Sequence, residues 1–238
     1  MAKGVLVHAR NLHMEGWDSV EWGDPARDAL GSLPKLAEFI LLQSEESAAG
    51  LTVVFGNGPT SAADGRSEGD FMRDYLQARV ADGRLWEFPR FAGHEQTPTQ
   101  ELLLGHLATA EVLHTRRNTD AEVAAAAQLF AERGVTEVHT LTCASHAARC
   151  TQSIVNVARQ GNIDPTQRWS VLPSDTFYPS DIGKGALVVE IPHIPSDLLP
   201  EGSPVAADVL RQYYVLPPEQ QAAFLGHAQL FFDSRQQV

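Results

Sequence analysis

Four short stretches of the sequence carry residue types that could do chemistry, and each closes a run of apolar residues. They are His8-Ala9-Arg10, Gly56-Asn57-Gly58 with Ser67-Glu68 beyond it, residues 114–119 (HTRRNT) and residues 142–149 (TCASHAAR). In the last stretch, a helix opening at Ser145 would turn its free N–H groups and positive dipole end toward His146, with Arg149 about one turn on. That combination suits an anion. A solitary histidine is more often structural, so the partnership with Arg149 gives His146 its interest. Cys143 sits where a helix end could lower a thiol pKa, although small buried cysteines are commoner, and Cys150 reads as helix core.

Gly56-Asn57-Gly58 has no third glycine in register for a dinucleotide fingerprint and no Gly-Lys-Ser/Thr for a Walker loop. It reads as a tight strand exit, or as bare backbone that lets a ligand come close. Ser67 ahead of Glu68 and Asp70 has the form of a helix cap with acids complementing the dipole. The alternative makes Glu68 a general base, or an acceptor for a ligand hydroxyl, in a crevice. Of the adjacent pair Arg116 and Arg117, one normally points to solvent, so at most one reaches a ligand. Asn118 and Thr119 are cap-forming side chains, and Thr119 with Glu122 has the spacing of a capping box. The nine histidines are scattered, and nothing in their spacing points to a metal site.

The elements that must position these residues alternate along the chain. Strands are expected at 4–8, 51–55, 85–88, 110–114, 137–142, 169–172 and 186–191. Helices are expected after Asp24-Pro25, through a stretch interrupted at Pro34 to about residue 47, then at 67–79, 100–107, from Thr119 to the stop at Gly134, and at 145–159. This alternation predicts an α/β fold, a mostly parallel Rossmann-like sheet with helices on both faces, built from βαβ units. The α/β domain is expected to span 1–191. Residues 192–238, rich in proline and then helical at 204–213 and 218–231, are expected to form a C-terminal helical extension packed on it. In such a sheet the ligand crevice lies beyond the carboxyl ends of the strands, where all four stretches fall.

Composition bounds the function. With 238 residues, 43% hydrophobic, the chain can bury a full core. Eighteen Lys+Arg against 30 Asp+Glu give a formal charge of −12, which disfavours nucleic acid as a partner. Only Lys3, Lys35 and Lys184 are lysines, so an anion must be held locally, by arginines. Two cysteines make no disulfide framework, and no apolar run spans a bilayer or resembles a signal peptide. The expectation is a soluble, cytoplasmic protein with a small-molecule substrate and no membrane partner, for which a homo-oligomer is admissible.

Taken in order, the turns resemble those of the YdcF-like family, the domain of unknown function shared with SanA and ElyC. The family pattern has a first strand ending in a glycine turn, a second strand with a glycine-rich exit followed by Ser-Glu-Ala, then Ser-x-Asn-Thr-x-Glu-Asn-Ala, then Ser-x-x-His-x-x-Arg-Ala. Here the corresponding residues are Gly56 and Gly58, Ser67-Glu68, Asn118-Thr119, then Ser145-His146 and Arg149, within residues 4–175. The chain departs from the family where His8-Ala9-Arg10 replaces the first glycine turn, where Gly69 follows Ser67-Glu68, and where Ala121-Glu122 stands for Glu-Asn. The stretch 75–110 is also longer. The resemblance implies a Rossmann-like sheet with a crevice lined by these turns. An adenosyl or phosphate-bearing ligand, S-adenosylmethionine included, is compatible with it.

The resulting expectation is an enzyme, a transferase or hydrolase, acting on a small anionic substrate. Arg149, His146, Ser145 and the helix end would hold the anion, Arg116 or Arg117 would assist, and Gly56, Asn57 and Gly58 would permit close approach. Glu68 and His146 would carry the chemistry. The rival is a non-catalytic binding or sensing protein using the same crevice. A third reading, a specialised biosynthetic enzyme, brings His8, Arg10 and His13 into the site.

Overall fold

The computed structural model describes residues 2–9, 12–13, 15–46, 50–58, 61–62, 64–94, 97–115 and 118–176. The chain divides into two compact units, Met1–Leu187 and Val188–Val238, and the described residues belong to the first. The strand expected at 186–191, the extension expected at 192–238, and Arg10, Arg116 and Arg117 lie outside the described residues.

In chain order the elements are β1 (Ala2–Val7), α1 (Trp17–Glu21), β2 (Gly23–Asp24), β3 (Ala29–Leu30), α2 (Ser32–Glu46), β4 (Leu51–Phe55), α3 (Glu68–Ala81), α4 (Thr97–Ala108), β5 (Glu111–Val112), α5 (Thr119–Glu132), β6 (Val135–Thr142), α6 (Ala147–Arg159) and β7 (Arg168–Pro173). Strands β2 and β3 pair antiparallel as a small hairpin. The other five form one parallel sheet in the order β5-β4-β1-β6-β7. The chain is therefore an α/β protein with a parallel sheet flanked by helices, consistent with a Rossmann-like arrangement.

A parallel strand is covered on both faces, which is why β1 and β4 are nearly continuous apolar runs. Val5 and Val7, with Val53, Phe55 and Leu141, face a core completed by Leu36 and Ile40 of α2, Met72 and Leu76 of α3 and Leu103 of α4. The intervening Leu6, with Val54 and Val138, faces a second core under Val123, Ala126 and Phe130 of α5 and Val157 of α6. Helices thus cover both faces, and each strand presents alternate residues to each.

Three local expectations need correction. The helix expected after Asp24-Pro25 is a 3-10 turn, Pro25–Arg27, capped by Asp24 and followed by β3, so α2 starts only at Ser32. The strand expected at 85–88 is a 3-10 turn, Arg84–Glu87, lying between Gly83 in the left-handed region (φ 73°) and Pro89. Its Leu85 and the following Phe88 are fully buried in the first core, so their apolar character reflects packing, not pairing. Pro34 does not interrupt α2. It is the third helical residue, in the turn where N–H groups lack helical acceptors, and the backbone ladder begins with Lys35 N donating to Gly31 O at 3.1 Å.

Two half-buried histidines link stability to pH. Burial disfavours the imidazolium forms of His106 and His139 and holds both below the ordinary histidine value, with Glu137, 3.3 Å from His139 Nε2, opposing that pull only in part. The unfolded chain takes up protons that the folded chain refuses, so this stability is lost as pH falls below about 6.5. The thermal midpoint is expected to be lower at about pH 5 than at about pH 7, and His106→Gln to narrow the gap. An unchanged gap in that variant would remove His106 from the account.

Candidate functional site

The strand order reverses at β1, with β4 and β5 to one side and β6 and β7 to the other. In an open α/β sheet the ligand crevice lies beyond the carboxyl ends of the strands at this switch point. The exits there are stitched side by side: His8 N donates to Leu141 O at 2.9 Å, Gly56 N to Val7 O at 2.8 Å and Leu113 N to Phe55 O at 2.8 Å. That stitching brings together His8 after β1, Gly56-Asn57-Gly58 after β4, Glu68 opening α3, Thr119 and Glu122 opening α5, and His146 after β6.

The centre of the arrangement is a pair that the sequence reading did not assign. His8 is buried, and its Nδ1 lies 2.6 Å from Oε2 of the buried Glu122. The buried face of α5 carries Thr119, Glu122, Val123, Ala126, Ala127 and Phe130. An acid inside that core-facing stripe was the available signal, since a carboxylate there must find a partner on the sheet.

The glycine turn makes room for protein carboxylates. A Cβ on Gly56 would lie 3.0 Å from Glu122 Cδ and Oε2, and one on Gly58 would lie 3.2 Å from Glu68 Oε2 and 3.7 Å from Glu122 Oε1. Gly69, in the first turn of α3, brings that helix onto the turn: a Cβ there would sit 2.7 Å from Gly56 O and 2.6 Å from Val112 Cγ1. The close approach expected at Gly56 and Gly58 is thus used by Glu122 and Glu68. Glu68 is buried and also accepts from Leu12 N at 3.4 Å. His146 is buried too, its ring 6.2 Å from that of His8 and nearly perpendicular to it. Asn57 is fully buried, and neither its amide nitrogen nor its amide oxygen has a hydrogen-bond partner among the described residues; the same holds for His8 Nε2.

Several expected residues have structural work. Ser67 caps α3, accepting from Asp70 N at 3.1 Å and donating to Asp70 Oδ2 at 2.5 Å. The capping box expected at Thr119 and Glu122 is displaced by one residue: Asn118 is the cap, accepting from Ala121 N at 2.9 Å, and Thr119 is the first helical residue. Asparagine is the stronger cap, and Glu122 turns to His8 instead of back to the cap. The helix expected from Ser145 starts later. Ala144–His146 is a 3-10 turn, Ser145 is half-buried within it, and α6 follows from Ala147. Arg149 is exposed on the first turn of α6, and His13 is exposed. Arg66, a further cation near the β4 exit, is held by Asp64 at 2.7 Å and Asp74 at 3.0 Å. Cys143 and Cys150 are buried and form no disulfide, and burial pushes the Cys150 thiol up to about 12.

A separate open groove runs over the N-terminal halves of β6 and β7, where Ser170 Oγ lies 2.8 Å from His139 Nδ1, with Glu137 on the far side of the ring. It lies at the opposite end of the strands from the exits, and its hydroxyl is not set at a helix start that could stabilise an oxyanion. The strand exits are the candidate site because His8 after β1 and residues of α3, α5 and the turn before α6 come together there. Among the described residues no group of three or more His, Cys, Asp or Glu could hold a metal ion, and no helix is long and apolar enough to cross a membrane.

No protein-family model matches the chain, and no curated protein and no solved structure matches it either. The fold and the residues at the strand exits by themselves define the class: an α/β parallel-sheet protein with a buried His-carboxylate pair at its switch point.

Proposed function

We propose that the chain is an enzyme acting on a small anionic substrate, phosphate-bearing or nucleotide-like, at the crevice beyond the sheet. One observation carries the reading: His8 Nε2 and both amide atoms of Asn57 are buried without a hydrogen-bond partner among the described residues, in the same cluster of strand exits as Glu68, Glu122 and His146. Such a group costs roughly 1–3 kcal/mol when nothing satisfies it, so a ligand that does so binds where the fold is otherwise penalised. Ser145, His146 and Arg149 would take the anion, Asn57 and Glu68 the hydroxyls, and Glu68 would exchange a proton. The YdcF-like pattern at Gly56, Gly58, Ser67-Glu68, Asn118-Thr119, Ser145-His146 and Arg149 favours the same crevice and an adenosyl ligand such as S-adenosylmethionine. An acidic, lysine-poor chain fits a small-molecule enzyme of the cytoplasm.

A thermal-shift screen over nucleotides, S-adenosylmethionine, sugar phosphates and divalent metals tests this. A true ligand at a hundred times its Kd should add about 2.7 kcal/mol of stability. Arg149→Ala should erase that gain while leaving the unliganded midpoint unchanged, and a gain that survives intact would remove Arg149. Once a substrate is in hand, Glu68→Gln separates enzyme from binding or sensing module. An enzyme using this base should lose about 10²–10⁴-fold in rate, whereas a binder should keep its affinity.

A further inference from the structure

We infer that His8 is a second acid/base residue of the crevice beside Glu68, acting at Nε2, that Glu122 is the positioning residue that fixes its tautomer, and that the group it serves is a ligand hydroxyl. The inference rests on the reading that the crevice takes a small molecule, and adds the atom at which a proton moves and the chemistry of the group beside it.

An ionised carboxylate only accepts hydrogen bonds, so in a neutral His8 the 2.6 Å contact with Glu122 Oε2 puts the ring proton on Nδ1 and the lone pair on Nε2. A buried histidine held for structure alone normally satisfies both nitrogens, yet Nε2 has no partner among the described residues. This is the base-and-orienter arrangement of acid/base sites: a carboxylate holds one nitrogen so that the other is presented in its reactive form. Helix α5 supplies the orienter from the buried face of its first turns, and β1 supplies the base from its last backbone bond to β6.

The neighbouring charges select the ligand group. Glu68 Oε2 and Glu122 Oε1 lie 3.2 and 3.7 Å from the position a Gly58 Cβ would take, so carboxylate oxygens of both residues border one small volume. A ligand hydroxyl there can donate to a carboxylate oxygen, which an ionised phosphate oxygen cannot. The polyol part of a substrate, such as a sugar ring, therefore belongs at the glycine turn, and its anionic part away from it. In the step itself the ligand O–H bond breaks, its electron pair stays on oxygen, and the proton goes to Nε2. The resulting imidazolium is balanced by Glu122 and returns the same proton in the reverse direction.

The test needs no identified ligand. In protein labelled with ¹⁵N-histidine, the His8 ring, assigned by its disappearance in His8→Gln, should appear as the Nδ1–H tautomer; an Nε2–H tautomer would overturn the inference. Ribose titrated into this labelled protein should move the His8 Nε2 resonance, and Glu122→Leu should leave His8 in a mixture of the two tautomers. If Glu122→Leu does not fold, the wild-type tautomer and the ribose titration still decide. A His8 whose Nε2 resonance ribose leaves unmoved is a structural pair, and the inference fails. That failure alongside a stabilising ligand would leave the crevice reading intact; a shifted Nε2 resonance with no stabilising anionic ligand would support the dyad and count against the small-anion reading.

Discussion

Phe130→Ala is expected to lower the free energy of unfolding by about 3–5 kcal/mol, the usual cost of truncating a fully buried aromatic ring. Phe130 is 0% exposed and sits in the core between α5, β1 and β6, with the Trp169 ring 6.1 Å away. Its place is shaped by an absence in β1: a Cβ on Gly4 would lie 2.6 Å from Phe130 Cε1 and 2.8 Å from Cδ1. Gly4→Ala should therefore destabilise on its own by overpacking. Combined with Phe130→Leu, it should cost less than the sum of the two single changes, with a coupling of about 0.5–3 kcal/mol. Urea melts of the four proteins measure this, and strict additivity would show that the two residues do not compete for the same space.

Gly69→Val is expected to be the second large effect, and one with a functional reading. The new side chain would have to displace Val112 or the backbone carbonyl of Gly56, neither of which is the loose end of a long chain. Overpacking of this kind costs about 1–3 kcal/mol, and a β-branched residue recovers less helix propensity than alanine would. The displaced element is the N-terminus of α3, so Glu68 moves off the glycine turn with it. Gly105→Ala in α4 is the control: nothing lies within 4 Å of its Cβ position, so it should stabilise by about 0.5–1 kcal/mol. Opposite signs in the two melts are the expected outcome. If Gly69→Val melts like wild type, the backbone contact between α3 and the β4 exit is not tight.

Much of the fold was legible because it is written in short-range terms. The run LTVVF is β4 to the residue, since a strand buried on both faces needs consecutive apolar side chains. Ser67 ahead of Glu68 and Asp70 announced α3, because capping is settled within one turn. The neighbouring misplacement of the α5 cap has the same local origin: Asn118 and Thr119 both make good caps, and only the direction taken by Glu122 separates them. Leu85 and Phe88 misled for a related reason. Four apolar-rich residues look alike whether they pair in a sheet or fill a core.

By itself, then, the sequence determined the central strands β1, β4 and β6, the helices α3, α5 and most of α6, and that chemistry-bearing residues end the strands, because hydrophobic period, caps and breakers act over a few residues. Only the tertiary structure decided which of those residues meet. His8 and Glu122 are 114 positions apart, and they touch because β1 is the strand at which the sheet order reverses and α5 crosses over beside it. The same crossover turned Gly56 and Gly58 from open backbone into the floor beneath two carboxylates. Periodicity carries no information about such a pairing, since it depends on strand order, and strand order is set by how the helices pack across the whole sheet.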